Sequence, residues 1–127
     1  MIETRIPTDK RFNFKECKKM FNEVRGLVGD KDSFRHIVDN HHFFSFYKDN
    51  TLLGCIYVYD KDNKLFLNGF VGRHHHKENM EAMKKVLSWY NCDIYAFSKR
   101  KTAIFCLYKL GFKKIDKNLY IYERGNN

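Results

Sequence analysis

Residues 70–90, FVGRHHHKENMEAMKKVLSWY, set three consecutive histidines, His74, His75 and His76, between Arg73 and Lys77. Imidazole is a common metal ligand, and a run of imidazoles and cations also suits a phosphate group. The two chemistries need different geometry. Neighbours in an extended segment point to opposite sides, so at most His74 and His76 share a face, whereas a stable zinc site needs three or four ligands. Further ligands would have to come from His36, His41, His42 or a distant thiol, and no metal is expected. A phosphate-contacting loop and a solvated loop both stay open.

The four cysteines, Cys17, Cys55, Cys92 and Cys106, are widely spaced with no C-x-x-C pair. Buried free thiols are expected of them, since a zinc ribbon needs close pairs and a disulfide framework belongs to small secreted domains. Twenty-four Lys and Arg against 15 Asp and Glu give a net charge of +9. Such a surface favours anionic partners such as nucleic acid, a phosphorylated cofactor or an acidic protein. The cations are spread from Lys10 to Arg124 with one tight cluster, SKRK at 98–101, which is more in keeping with a solvated surface than with a dedicated nucleic-acid groove.

At 127 residues, 43% hydrophobic, 17% aromatic and with a single proline, Pro7, the chain predicts one aromatic-rich globular domain over 1–127. No apolar run approaches the roughly 18 residues of a membrane span. The first residues, MIETRIPTDKRF, lack the basic-then-apolar order of a secretory leader, so a cytosolic protein is expected.

The elements that must carry these groups follow from periodicity. IETRI alternates and stops at Pro7, as a short edge strand does. Phe14, Cys17, Met20, Phe21 and Val24 recur at helical spacing, with Gly26 as the expected stop, and a short helix is predicted over Ser33–Val38. Residues 41–72 read as three antiparallel strands joined by tight turns at 48–50 and 60–63. After Val71 the period switches from two to 3.6, with Met80, Met83, Val86, Leu87 and Tyr90 on one face. A strand over Leu65–Val71, a helix over Lys77–Tyr90 and a strand over Cys92–Phe97 then form a βαβ unit with a parallel pair. Ala103, Ile104, Leu107, Tyr108 and Leu110 make another amphipathic helix closed by Gly111, and FKKID and LYIYER end the chain as a hairpin.

This order resembles the GCN5-related N-acetyltransferases over essentially the whole chain. The resemblance is sharpest at AFSKRKTAIFCLYKLGFKKI, residues 96–115, where Ala103, Tyr108, Gly111 and Phe112 match the family's late strand–helix pattern, give or take one residue in the Ala-to-Tyr spacing. It implies an α+β fold: a central mixed, mainly antiparallel sheet flanked by about four helices, with a splayed parallel strand pair. It also implies acetyl-CoA as cofactor and an amine as acceptor. The pyrophosphate of such a cofactor would sit at the turn before the 77–90 helix, on free backbone N–H groups. Residues implied to bind it are Gly69, Phe70 and Val71 by their backbone, along the pantetheine arm, and Arg73, His76, Lys77, Asn79, Met80 and Arg100 near the phosphates.

The family pattern at that turn has Arg or Gln, two residues, Gly, one residue, then Gly or Ala. Here His76 stands for the Arg or Gln, Asn79 for the first glycine and Glu81 for the second. Asn tolerates left-handed backbone, but a glutamate in the first turn competes for the same N–H groups and repels phosphate. Arg73, Lys77 and the histidines can compensate by direct contact, so the turn is either a rebuilt anion site or a decayed one.

For chemistry, the resemblance implies Tyr108 as the general acid that protonates the leaving thiolate; a core aromatic is the competing reading. A general base is harder to find: Leu65–Val71 offers only Asn68, and His42, Tyr95, Ser98 or a water relay are the remaining candidates. Two functions stand: an acetyl-CoA-dependent N-acyltransferase, or a non-catalytic protein of the same fold that uses its basic surface on nucleic acid or an acidic protein. The short chain and its Lys, Asn, Phe, Tyr and Ile bias resemble divergent bacteriophage-encoded members, which would place it in a host cytoplasm.

Overall fold

The computed structural model describes residues 1–28, 32–71 and 74–124, of which 25–28 and 71 are described by their backbone. The chain runs β1 (Glu3–Arg5), α1 (Phe14–Val28), α2 (Phe34–Asn40), β2 (His42–Lys48), β3 (Thr51–Lys61), β4 (Lys64–Val71), α3 (His76–Ser88), β5 (Ile94–Phe97), α4 (Lys101–Leu110), β6 (Lys113–Asp116) and β7 (Leu119–Tyr122). The seven strands form one sheet in the order β1-β2-β3-β4-β5-β7-β6, antiparallel throughout except for β4 and β5. This is the α+β arrangement that the sequence predicts, with four helices among the described residues.

Local chemistry explains the meander. Asp49–Asn50 and Asp62–Asn63 hold φ between 51° and 64°, the paired left-handed conformation of two-residue hairpin turns whose twist matches the strands. Register then follows from these turns, as Lys48 faces Thr51 and Lys61 faces Lys64. Gly69 is needed for a different reason. A Cβ there would lie 2.7 Å from Ile56 Cγ2 and 2.8 Å from the Cys55 carbonyl oxygen, so β4 approaches β3 closely only without a side chain.

Two cores lie on opposite faces of the sheet. Under α1 and α2, Phe21, Phe34, Phe43 and Phe70 make a mutual aromatic cluster with ring centroids 5.3 to 6.3 Å apart, joined by Cys17, Ile37, Cys55 and Tyr57. Under α3 and α4, Phe44, Ile56, Val86, Leu87, Ile94, Leu107, Leu110 and Tyr120 fill the other.

Four expectations are corrected. Gly26 does not stop α1, which runs on to Val28; a glycine costs a helix only about 1 kcal/mol, which burial of Cys17 and Phe21 outweighs. Cys92 is exposed and Cys106 half-buried, while Cys17 and Cys55 are the buried thiols. Cys92 stands between Asn91 and Asp93, before β5 begins at Ile94, so the strand expected over Cys92–Phe97 starts later. Tyr108, placed on the inward face of its helix, is 51% exposed, and Leu107 and Leu110 are the buried positions of α4.

Candidate active site

β4 and β5 are hydrogen-bonded neighbours at two positions, Leu65↔Ile94 and Phe66↔Tyr95. Beyond them β4 continues to Val71 on β3, and β5 continues to Phe97 on β7. The two strands therefore part after Phe66 and Tyr95, leaving a wedge between residues 67–71 and 96–97. Alternate residues of an edge turn their N–H and C=O away from the paired neighbour, so the wedge is lined by backbone polar groups. On the α1 and α2 face of β4, Phe70 is buried against Phe21 and Phe34, and Asn68 Nδ2 donates to the Tyr57 hydroxyl at 3.1 Å. The Gly69 N–H is accepted by Asn68 Oδ1 at 2.8 Å.

Tyr108 lies in the last turn of α4, the helix that follows β5. Its ring packs edge-on against Tyr120 with centroids 5.7 Å apart, and Tyr120 pairs across β7 and β5 with Ala96, the first residue past the paired segment. Burial pushes the Tyr120 phenol up from its ordinary range, and the neighbouring Tyr108 adds to the effect. Tyr108 is half exposed with its ring against Tyr120, not enclosed in the core.

α3 begins at His76, shortly after β4 ends at Val71. His75 is its N-cap and makes no side-chain cap hydrogen bond, so the first N–H groups of the helix lack the usual partner. Asn79 N–H is already used within the helix, donating to the His75 carbonyl at 2.9 Å. Its side chain turns inward, 1% exposed, with Nδ2 donating to the Leu53 carbonyl at 3.0 Å and Oδ1 without a partner. Leu53 explains this: the register passes from Phe46↔Gly54 to Tyr47↔Leu52 and skips it. Asn79 thus answers a bulge carbonyl on β3.

A groove of about 450 Å³ runs along α3, lined by His76, Lys77, Met80, Glu81, Lys84 and Lys109. A second, of about 310 Å³, is lined by His76, Lys101, Thr102, Phe105 and Cys106. His76 is common to both, with Nδ1 at 3.9 Å from Cys106 Sγ. Burial keeps the Cys106 thiol above its ordinary range despite Lys109 and Arg100 nearby. The floor of these grooves is strongly cationic, with Glu81 the acidic exception. Lys84, Lys101 and Lys109 were not singled out in the sequence, because the contact between α3 and α4 that gathers them is tertiary.

The structure brings His76, Lys77 and Met80 to the groove, and Asn79 to the sheet side of the same helix turn. Arg100 is the N-cap of α4, with Nη2 at 3.3 Å from Thr102 Oγ1. Arg73 lies outside the described residues. Of the base candidates, His42 Nδ1 is 2.8 Å from the Tyr90 hydroxyl, and Ser98 Oγ accepts the Arg100 N–H. Tyr95 sits in the last β4–β5 pair, tilted against Phe66 at 5.8 Å. Among the described residues the His, Cys and carboxylate side chains that converge are Asp32, His36 and His41, not the histidines of 74–76.

No protein-family model and no curated protein matches the sequence. Solved structures do match the fold. The chain is similar to an N-acetyltransferase from Staphylococcus aureus Mu50, at 18% identity and a TM-score of 0.73 over 97% of both chains. It is similar to Campylobacter jejuni N-acetyltransferase PseH in complex with acetyl coenzyme A, at 14% identity and a TM-score of 0.66 over 98% of this chain and 99% of that one. A GNAT family acetyltransferase from Elizabethkingia anophelis with acetyl-CoA bound matches at 16% identity and a TM-score of 0.63 over 91% of this chain and 78% of the other. The fold is that of the GCN5-related N-acetyltransferases.

Proposed function

We propose that the chain is an N-acyltransferase that moves an acetyl group from acetyl-CoA to an amine. The observation that supports this best is the wedge between β4 and β5, opened after two paired positions, in a fold where the helix after β4 begins without a side-chain cap and the helix after β5 carries the half-exposed Tyr108.

Acetyl-CoA supplies an activated thioester when bound. The residues present suit its polyanionic end: the first-turn N–H groups of α3 and the side chains of His76, Lys77, Lys84 and Lys109 offer donors and positive charge in one groove. Arg73 and Arg100 are proposed to join them. Backbone groups of Phe70 and Val71 are proposed to hold the pantetheine arm along the open edge of β4. Gly69 keeps β4 close against β3, its N–H being engaged by Asn68.

In the transfer, the amine nitrogen bonds to the carbonyl carbon and the carbon–sulfur bond breaks. The Tyr108 hydroxyl gives its proton to the departing sulfur, and the amine's surplus proton leaves through water. With Asn79 and Glu81 in place of glycines, the proposed anion site draws on cationic side chains of the groove as well as on the first-turn N–H groups, while the Asn79 side chain ties the helix to β3.

Calorimetric titration with acetyl-CoA tests this. Binding in the micromolar range is expected, tightened several-fold by Glu81→Gln, which removes the one acidic group of the groove. No heat for either protein would remove the acyltransferase and leave the fold as a binding module for an anionic partner.

A further inference from the structure

We propose that Asp32, His36 and His41 form a binding site for a divalent first-row transition ion of the zinc class, independent of acyl transfer. One ligand atom of each residue lies within 4.8 Å of the other two. The three bracket α2: Asp32 precedes the N-cap Ser33, His36 stands in the first turn, and His41 follows the last residue. The run at 74–76, from which no metal is expected, is a separate segment whose adjacent side chains diverge.

The scaffold is held in place without the ion. Ser33 Oγ accepts the His36 N–H at 3.1 Å, His41 N–H donates to the Ile37 carbonyl at 3.1 Å, and Phe34, Ile37 and Val38 are buried. The His41 ring is parallel to Tyr57, 10° and 5.8 Å away, and leans on Tyr59 at 5.4 Å. It meets the His36 ring edge-on, with centroids 5.6 Å apart. His36 Nε2 lies 3.7 Å from Asp32 Oδ2, which is long for a hydrogen bond. Two ligands sharing one tetrahedral zinc at bonds near 2.0–2.1 Å stand about 3.4 Å apart, so a small closure admits the ion.

The donor set sets the ion's class. Two imidazoles and one carboxylate suit zinc, cobalt or nickel, whereas calcium and magnesium require mostly oxygen ligands. Three protein ligands leave a tetrahedral position to water.

Asn40 governs loading as a positioning residue. Its Nδ2 is 3.2 Å from His36 Nδ1 and donates to the His36 carbonyl at 3.0 Å. In that orientation the amide donates to Nδ1 and the ring proton stays on Nε2, the nitrogen facing Asp32. Metal binding through Nε2 requires the proton on Nδ1 and an acceptor beside it, so the amide must turn. Asn40→Asp supplies that acceptor directly, in the manner of a carboxylate behind a zinc-bound histidine.

The test is calorimetric titration of the untagged chain with zinc chloride in a non-chelating buffer. One saturable site per chain is expected. His36→Ala, a half-exposed position whose loss leaves the core intact, should weaken it by at least about tenfold, and Asn40→Asp should tighten it by about the same factor. Replacing His74, His75 and His76 together with alanine should leave it unchanged. No saturable zinc heat, binding that survives His36→Ala, or loss in the triple variant would each overturn the site.

Discussion

At the scale of single residues, the proposed chemistry rests on Tyr108. Its ring rests on Tyr120 while its face stays half open, so removing the hydroxyl takes away a proton donor and little packing. Tyr108→Phe should lower turnover by about a hundredfold or more, the range of a lost general acid, while the melting temperature stays close to that of the parent. Steady-state thiol release and a thermal melt on the same preparation check this. Full activity in the folded variant would remove the assigned role. The end of α4 was legible, because a left-handed C-cap at Gly111 (φ 106°) closes the helix, but the outward face of Tyr108 was not, since burial of Leu107 and Leu110 sets the helix phase. The side-chain direction of Asn79 was not legible. Its inward turn depends on the unpaired Leu53 carbonyl 26 residues earlier, and no local pattern announces a bulge partner.

The elements explain how a helix without glycines at its start is still held against the strands. The Asn79 amide answers the Leu53 carbonyl in a buried setting, where a lost hydrogen bond leaves an acceptor desolvated and unpaired. Asn79→Ala should therefore destabilise the fold by about 1 to 3 kcal/mol, measured by urea denaturation with an unchanged slope. A change within error would mean that the bulge carbonyl finds another partner and that Asn79 is not a structural bolt. Most elements could be read from the sequence because local rules decided them. Asp-Asn pairs forced the two hairpins, and a period of 3.6 marked α3 and α4. The departures came where tertiary burial overrode a local preference, as when Gly26 stayed inside α1, or where polar neighbours kept a thiol in exposed loop, as Asn91 and Asp93 do at Cys92.

Over the whole molecule, one arrangement joins charge to chemistry. The excess of Lys and Arg is spread along the sequence, yet folding brings Lys77, Lys84 and Lys109 to one groove between α3 and α4. The sheet order, with β5 inserted between β4 and β7, makes the parallel pair that parts after Phe66 and Tyr95. The sequence predicted the βαβ unit that creates this pair, since a strand, a helix and a strand in succession require a parallel crossover. It did not show that Asp32, His36 and His41 converge, because their spacing spans a helix and a cap. The most direct measurement of the central claim is a crystal structure of the chain with acetyl-CoA. The thioester should lie in the wedge between residues 67–71 and 96–97, with the pyrophosphate at the first turn of α3 and the sulfur within hydrogen-bond reach of the Tyr108 hydroxyl. Acetyl-CoA bound elsewhere, or a wedge closed with Tyr108 turned away from the sulfur, would contradict it.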